Sequence, residues 1–308
     1  MEVKRRTART LVSRLGSVSE QARSESLAEL RLLTKHDPEI RQLAADAGAI
    51  PYLAESLYSS SHEAQENAAA TLLNVSISSR EALMSTRGLL DALYHALRYH
   101  SSSTSPAAVQ SVAATLHSLL VDDSYRPIIG ARRDLLHALV DILRFPASPP
   151  RSVKDALKAM FGVALYPLNR PTLVGLGAVG ALFSLVLKDG RVGIVEDATA
   201  VIAQVAGCED SEAEFARVFG VRVLVDLLDT GTGSSLRVKE NAIAALLNLV
   251  RSGGEGVKKE LREIGAARVS EGINEVLESG TERGRTKASA LLKVIEGNGS
   301  WSGGFDSL

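Results

Sequence analysis

The stretch ENAAATLLNV at residues 66–75 returns as ENAIAALLNL at residues 240–249. With the second asparagine of each as reference, weaker copies fall at Arg31, Asn74, Ser118, Gly162, Gln204, Asn248 and Lys293, spaced 42 to 45 residues apart. The residue after each reference is apolar every time: Leu32, Val75, Leu119, Val163, Val205, Leu249 and Val294. Two positions before it the residue is apolar except at Glu29. Such spacing puts the apolar residues on one side of a helix. A unit of this size cannot bury that side alone, so it must stack on copies of itself. The chain is therefore expected to be an all-α solenoid of about seven units.

The units carry punctuation. A glycine followed by small or apolar residues recurs 26 to 28 residues before the reference, at Gly48, Gly177, Gly220 and Gly265. Glycine there ends one short helix before the next, because it enters the left-handed region at low cost. Pro51, Pro106 and Pro171 stand where helices are expected to begin. This explains GLGAVG at 175–180, which spells the G-x-G-x-x-G of dinucleotide-binding folds, with Asp197 twenty residues past Gly177. That signature needs a strand before it and a helix after it. Here the preceding YPLNRPTLV holds two prolines and makes a poor central strand. The glycines are one copy of the helix-to-helix turn.

Composition agrees with helix stacking. The chain is 45% hydrophobic but only 4% aromatic, so Leu, Val, Ile and Ala must fill the core. Its formal charge of −1 gives no overall bias toward nucleic acid. No run of about 18 apolar residues is present, so no transmembrane segment is expected. With no secretory signal, a cytoplasmic or nuclear location follows. The single cysteine, Cys208, precedes two acids and has no histidine within ten residues. It reads as a structural cysteine, because neighbouring acids raise a thiol pKa. His95 and His100 are five apart, off the i, i+4 spacing of a helical metal pair. His117 aligns with core leucines of other units and reads as a core residue. No catalytic constellation, metal site, cofactor or small-molecule substrate is expected.

The segments RTARTLVSRL (6–15), AELRLLTKHDPEIRQLAADAGAIPYL (28–53), EAQENAAATLLNVSI (63–77), KDALKAMFGVALYPLNRPTLVGLGAVGALFSLV (154–186) and RVKENAIAALLNLV (237–250) together resemble the armadillo region of plant U-box ubiquitin ligases. The resemblance implies an all-α, right-handed superhelix of about seven armadillo repeats. In it the third helix of each repeat lines a concave groove. In such ligases a U-box precedes the repeats. Neither a Cys-Pro-Ile-type opening nor an Asp-Pro-Val segment occurs here, so no ligase activity of the chain by itself is expected. The implied role is a non-catalytic scaffold, or the substrate-recognition part of a U-box-type ligase, with ubiquitin-pathway components among its partners.

Seven positions before each reference stand Ser24, Asn67, Ser111, Asp155, Asp197, Asn241 and Thr286, all polar. Four before it stand Leu27, Ala70, Ala114, Lys158, Ala200, Ala244 and Ser289, mostly small. Seven residues make two helical turns, so these positions and the reference share a face. Either they contact a partner's extended segment or helix in the groove, or they are the solvated face of a core helix. On the first reading the contacts are Asn67, Asn74, Ser111, Ser118, Asp155, Lys158, Asp197, Gln204, Asn241 and Asn248. Groove tryptophans like those of nuclear import receptors are missing, so no nuclear-localisation peptide is expected. The chain divides into a basic N-terminal linker or cap (1–18), the solenoid (19–296) and a Gly/Ser-rich tail (297–308) expected to be disordered. That tail carries Trp301 and Phe305.

Overall fold

Between one reference helix and the next, the chain breaks at a glycine or a polar turn into three helices. The computed structural model describes residues 1–98, 104–252, 255–264 and 266–295. They fall into two units, Met1–Asn169 and Arg170–Leu308. The first opens with α1 (Glu2–Leu15) and α2 (Glu20–His36). Three triplets follow: α3 (Pro38–Asp46), α4 (Ala49–Ser56) and α5 (His62–Ser76); α6 (Arg80–Met84), α7 (Leu89–Leu97) and α8 (Pro106–Leu119); α9 (Arg126–Gly130), α10 (Arg133–Arg144) and α11 (Pro150–Ala164). The second unit holds α12 (Arg170–Gly175), α13 (Ala178–Lys188) and α14 (Val192–Val205), then α15 (Ser211–Arg217), α16 (Gly220–Asp226) and α17 (Leu236–Arg251). It closes with α18 (Glu255–Ile264), α19 (Ala266–Ser279) and α20 (Glu282–Ile295). Among the described residues there is no strand, and every third helix holds one of the seven reference positions.

Five of the seven third helices begin at a capping hydroxyl, while α11 and α14 have Pro149 and Arg191 at the N-cap. Ser19, Ser61, Ser105 and Ser235 each accept a hydrogen bond from the first turn of α2, α5, α8 and α17. Thr281 Oγ1 accepts from the Gly284 N–H in α20 at 3.0 Å. Each such cap is worth about 1 kcal/mol. The third helices then stack in order, α2 on α5 on α8 on α11 in the first unit and α14 on α17 on α20 in the second. Their inward leucines, among them Leu72, Leu116, Leu246 and Leu291, are buried. Burying one such side chain stabilises by about 1.5–3 kcal/mol.

Two expectations need correction. The buried residues of α2 are Ser26, Leu27, Leu30 and Thr34. They match Ala68, Ala69, Leu72 and Ser76 of α5 at a constant offset of 42 residues, all buried. So the reference position of the first repeat is Leu32, which is 60% exposed, and not Arg31. Glu29 breaks no pattern, because Leu30 holds the core position.

The second correction concerns a turn. Gly48, Gly88 and Gly177 have φ of 84°, 79° and 76° ahead of α4, α7 and α13. Gly88 was not among the expected turn glycines. Gly220 was, yet the left-handed residue there is Phe219, at φ 51°. Gly220 has become the first residue of α16. A Cβ on it would lie 3.0 Å from the rings of both Phe183 and Phe215, which pack edge to face with centroids 5.4 Å apart. The missing side chain serves close packing, and the backbone turn falls one residue earlier. Gly265 and the tail with Trp301 and Phe305 lie outside the described residues.

The G-x-G-x-x-G glycines occupy three different helical settings. Gly175 ends α12, Gly177 precedes α13 and Gly180 lies within it. The basic N-terminus is a helix with Ala8, Leu11, Val12 and Leu15 buried against α2 and α3. Lys4 sits 2.7 Å from Asp37 and 2.6 Å from Glu39 at the start of α3. No single helix among the described residues is long and apolar enough to cross a membrane.

Candidate partner-binding face

The Glu-Asn dipeptide that opens the clearest repeat copies works in two directions. The glutamate reaches forward to the cap of the next third helix. Ser105 donates its hydroxyl to Glu66 Oε1 at 2.5 Å. Ser235 does the same to Glu196 Oε1 at 2.8 Å, and Thr281 to Glu240 Oε2 at 3.1 Å. The asparagines reach backward. Asn241 Nδ2 donates to the carbonyl of Glu196 and the hydroxyl of Thr199, both at 3.1 Å. Asn248 Nδ2 donates to the Ala203 carbonyl at 2.8 Å. Asn74 Nδ2 donates to Thr34 Oγ1 at 3.1 Å and to the Arg31 carbonyl at 3.4 Å. Asn67 Oδ1 accepts from Arg31 Nη1 at 2.9 Å. The Ala203 carbonyl lies in the last turn of α14, where it has no partner within its own helix, and the Asn248 amide of the following repeat supplies one.

The expected contact residues therefore divide by what they already bind. In the first unit Asn67 and Asn74 lie on α5, Ser111 and Ser118 on α8, and Asp155 and Lys158 on α11. Asn67 is buried and the other five are half-buried. Asp155 accepts from Gln110 Nε2 at 3.2 Å and stands 3.7 Å from Lys158 Nζ. In the second unit Asp197 and Gln204 lie on α14, and Asn241 and Asn248 on α17. All four are half-buried. Arg237 approaches Asp197 at 3.8 Å, and Gln204 Oε1 accepts from Arg170 Nη2 at 3.3 Å. The row is neither freely solvated nor fully buried. The Nδ2 donors of Asn74, Asn241 and Asn248 are engaged between repeats, which leaves their Oδ1 atoms to accept a hydrogen bond from outside.

The fourth repeat departs from the pattern. Its reference residue is Gly162, buried in α11, where a Cβ would lie 2.8 Å from Leu120 Cβ. Only a residue without a side chain lets α11 pack that closely on the end of α8.

Other reactive groups are in structural settings. Cys208 is buried, and burial, followed by the charge of Asp210, pushes its thiol pKa up. His95 is half-buried with its ring centroid 4.5 Å from that of Tyr58, and burial followed by Arg98 lowers its pKa. His117 is half-buried in α8. Among the described residues no cluster of His, Cys, Asp and Glu could hold a metal ion. The sequence reading missed the forward-reaching glutamates, although Glu66 and Glu240 each stand directly before a chosen asparagine.

Comparison with known proteins agrees with this architecture. U-box domain-containing protein 16 of Arabidopsis thaliana is 32% identical over 279 residues, covering 90% of this chain and 39% of the relative. U-box domain-containing protein 17 of the same plant is 32% identical over 303 residues, covering 96% and 39%. The chain thus spans about 39% of the length of these relatives. Among solved structures, a chain from a study of the phosphorylation switch in the cadherin–beta-catenin interaction superposes with TM-score 0.78 at 19% identity, covering 94% of this chain and 55% of that one. A designed armadillo repeat protein superposes with TM-score 0.52 at 21% identity, covering 93% and 99%. These likenesses establish the armadillo fold. The model of one family, the plant U-box protein ARM repeat region, matches residues 8–303, and with nearly the whole chain inside that match, the protein belongs to this family.

Proposed function

We propose that the protein is a non-catalytic interaction scaffold that binds an extended segment or helix of a partner protein along the exposed face of its third helices. The observation that carries the reading is the half-buried polar row. Asn74 and Ser118 stand at one repeat position and Ser111 and Asp155 at another, two turns earlier, on successive stacked helices, with Ala70 and Ala114 between the two positions. Small residues allow a partner backbone to come close, and the free asparagine carbonyl can accept one of its N–H groups. Affinity purification from plant lysate tests this, using the full chain beside the Ala70→Gln/Ala114→Gln variant. Those positions make no inter-repeat hydrogen bond, and glutamine is a good helix former. Loss of specific partners in the variant is the expected result, and identical recovery would overturn the reading.

A second reading is favoured by the relatives, which are named as U-box domain-containing proteins. On it the chain is the substrate-recognition part of a U-box-type ubiquitin ligase, with a U-box elsewhere docking the conjugating enzyme. In a ubiquitination assay with purified conjugating enzyme, the isolated chain is expected to be inactive. Modification of a captured partner only after a U-box ligase is added would favour this second reading.

A further inference from the structure

Three exposed apolar residues occur at one repeat-equivalent position in the first unit. Ile77, Val121 and Leu165 each stand three residues past the reference of their repeat, just beyond the last turns of α5, α8 and α11. They are 50%, 56% and 36% exposed. The equivalent residues of the next two repeats are Gly207 and Arg251, so the apolar series is confined to this unit. Arginines alternate with it. Arg80, the first residue of α6, donates Nε to the Ser118 carbonyl at 2.7 Å, in the last turn of α8. Arg126, the first residue of α9, donates Nε to the Leu120 carbonyl at 3.2 Å. The backbone carbonyl of Arg126 accepts from Asn169 Nδ2 at 2.9 Å, which also donates to the Val163 carbonyl of α11 at 3.0 Å. Arg126 therefore lies between the ends of α8 and α11. Along this edge the order is Ile77, Arg80, Val121, Arg126, Leu165.

Each guanidinium is fixed by Nε to a helix end. Neither has a carboxylate within ion-pair distance or a protein partner for its Nη groups among the described residues. The carboxyl between them, Asp122, is held below the usual carboxylate range by the hydroxyl and N–H of Ser124, then by Arg80 and Arg126. Its Oδ1 accepts both Ser124 bonds. An anchored guanidinium with open Nη groups suits a carboxylate, which it can meet with two parallel bonds.

We propose that this edge takes an extended peptide segment in which apolar side chains alternate with carboxylates. The apolar side chains settle on Ile77, Val121 and Leu165, and the carboxylates meet the Nη groups of Arg80 and Arg126. This rests on the reading that a partner segment runs along the third helices, and it names that segment's chemistry. Stacked helices lie about 8–10 Å apart and an extended chain rises about 3.3 Å per residue. The matching period is therefore about three residues per repeat.

The test uses the full chain and a fluorescent peptide of four Leu-Gly-Asp units, followed by anisotropy, beside a peptide with Lys in place of Asp. Binding is expected to be about tenfold or more tighter for the acidic peptide, the scale of one charge-assisted hydrogen bond. It is expected to weaken similarly in Ile77→Ser/Val121→Ser/Leu165→Ser and in Arg80→Gln/Arg126→Gln. Arg80→Lys/Arg126→Lys, which keeps the charge but not the fork, is expected to restore binding only in part. Thermal melts of each variant confirm the fold. Equal affinity for the two peptides, or binding unchanged by these substitutions, overturns the proposal. If the Ala70→Gln/Ala114→Gln variant alone loses the acidic peptide, the edge is wrong and the polar face stands. If neither set of substitutions alters binding, both readings fall.

Discussion

The hydroxyl of Ser235 caps the N-terminus of α17 and also donates to Glu196 Oε1 at 2.8 Å, 39 residues back in the chain. One hydroxyl thus starts its own helix and ties it to the third helix before it. The pairs Ser105–Glu66 and Thr281–Glu240 repeat the arrangement. In a solenoid, where stability is largely a sum over neighbouring interfaces, such a pair acts on the whole unit.

Glu240→Ala is expected to destabilise the second unit by about 1–2 kcal/mol, because Glu240 binds both the hydroxyl and the N–H of Thr281. Urea unfolding followed by circular dichroism reads this as a lower midpoint. An unchanged midpoint would show that water replaces the carboxylate at no cost.

Asn248→Ala removes the amide that satisfies the Ala203 carbonyl. A loss of about 0.5–1.5 kcal/mol is expected in the same assay. Asn248→Asp keeps the shape but turns the donor into an acceptor facing a carbonyl, so it should cost at least as much.

At the repeat turns, glycine and phenylalanine should respond in opposite senses. Phe219 holds φ at 51° and is 68% exposed, so its side chain gains little from packing. Left-handed backbone costs a residue with a Cβ about 1–2 kcal/mol. Phe219→Gly is expected to leave the melting temperature unchanged or raise it. Gly177→Ala, at φ 76°, is expected to lower it.

Gly162→Ala tests the close approach of α11 to α8. A Cβ 2.8 Å from that of Leu120 forces one helix to shift, and overpacking of this kind costs about 1–3 kcal/mol. Adding Leu120→Gly to that variant removes the opposing Cβ and should recover part of the loss, and a double-mutant cycle measures the coupling.

Acid should weaken the first unit in part through Arg132. It donates to Asp134 Oδ2 and to Asp91 Oδ1, both at 2.7 Å. The Arg132 hydrogen bond holds the Asp134 carboxyl below its usual range. A carboxylate whose pKa is lowered on folding stabilises fully above its unfolded pKa, near 4, and loses that stabilisation as pH falls through the lower folded value. The melting temperature is therefore expected to fall as pH drops below about 4, less steeply in Arg132→Gln. Parallel pH profiles for the two proteins would argue against this pair as a contributor.

The ten residues chosen from the sequence as a contact row do stand on the third helices, but what they bind was not legible there. For Asn74 and Asn248 the sequence left open a partner contact or a solvated face; their amides join neighbouring repeats. A hydrogen bond across about 40 residues leaves no periodic mark, because only one of its two groups belongs to the repeated motif. Glu66 and Glu240 do recur at one repeat position, but the hydroxyls they meet lie about 40 residues further on, and nothing in the local sequence marks that pairing.

Sequence alone determined the all-α class, the repeat length and the place of six of the seven third helices. Their buried leucines recur with a period that only stacked helices can satisfy. It also argued against a phosphate loop at GLGAVG, because two prolines upstream make a poor central strand. Tertiary structure decided the rest. It moved the first repeat by one residue, since Leu30 and not Glu29 meets the neighbouring helix. It placed the left-handed turn on Phe219, since Gly220 is needed under two aromatic rings. It exposed Ile77, Val121 and Leu165, because each follows a helix end where no further turn covers it. These outcomes depend on which atoms meet across separate segments, and a single repeat does not encode its neighbour's position.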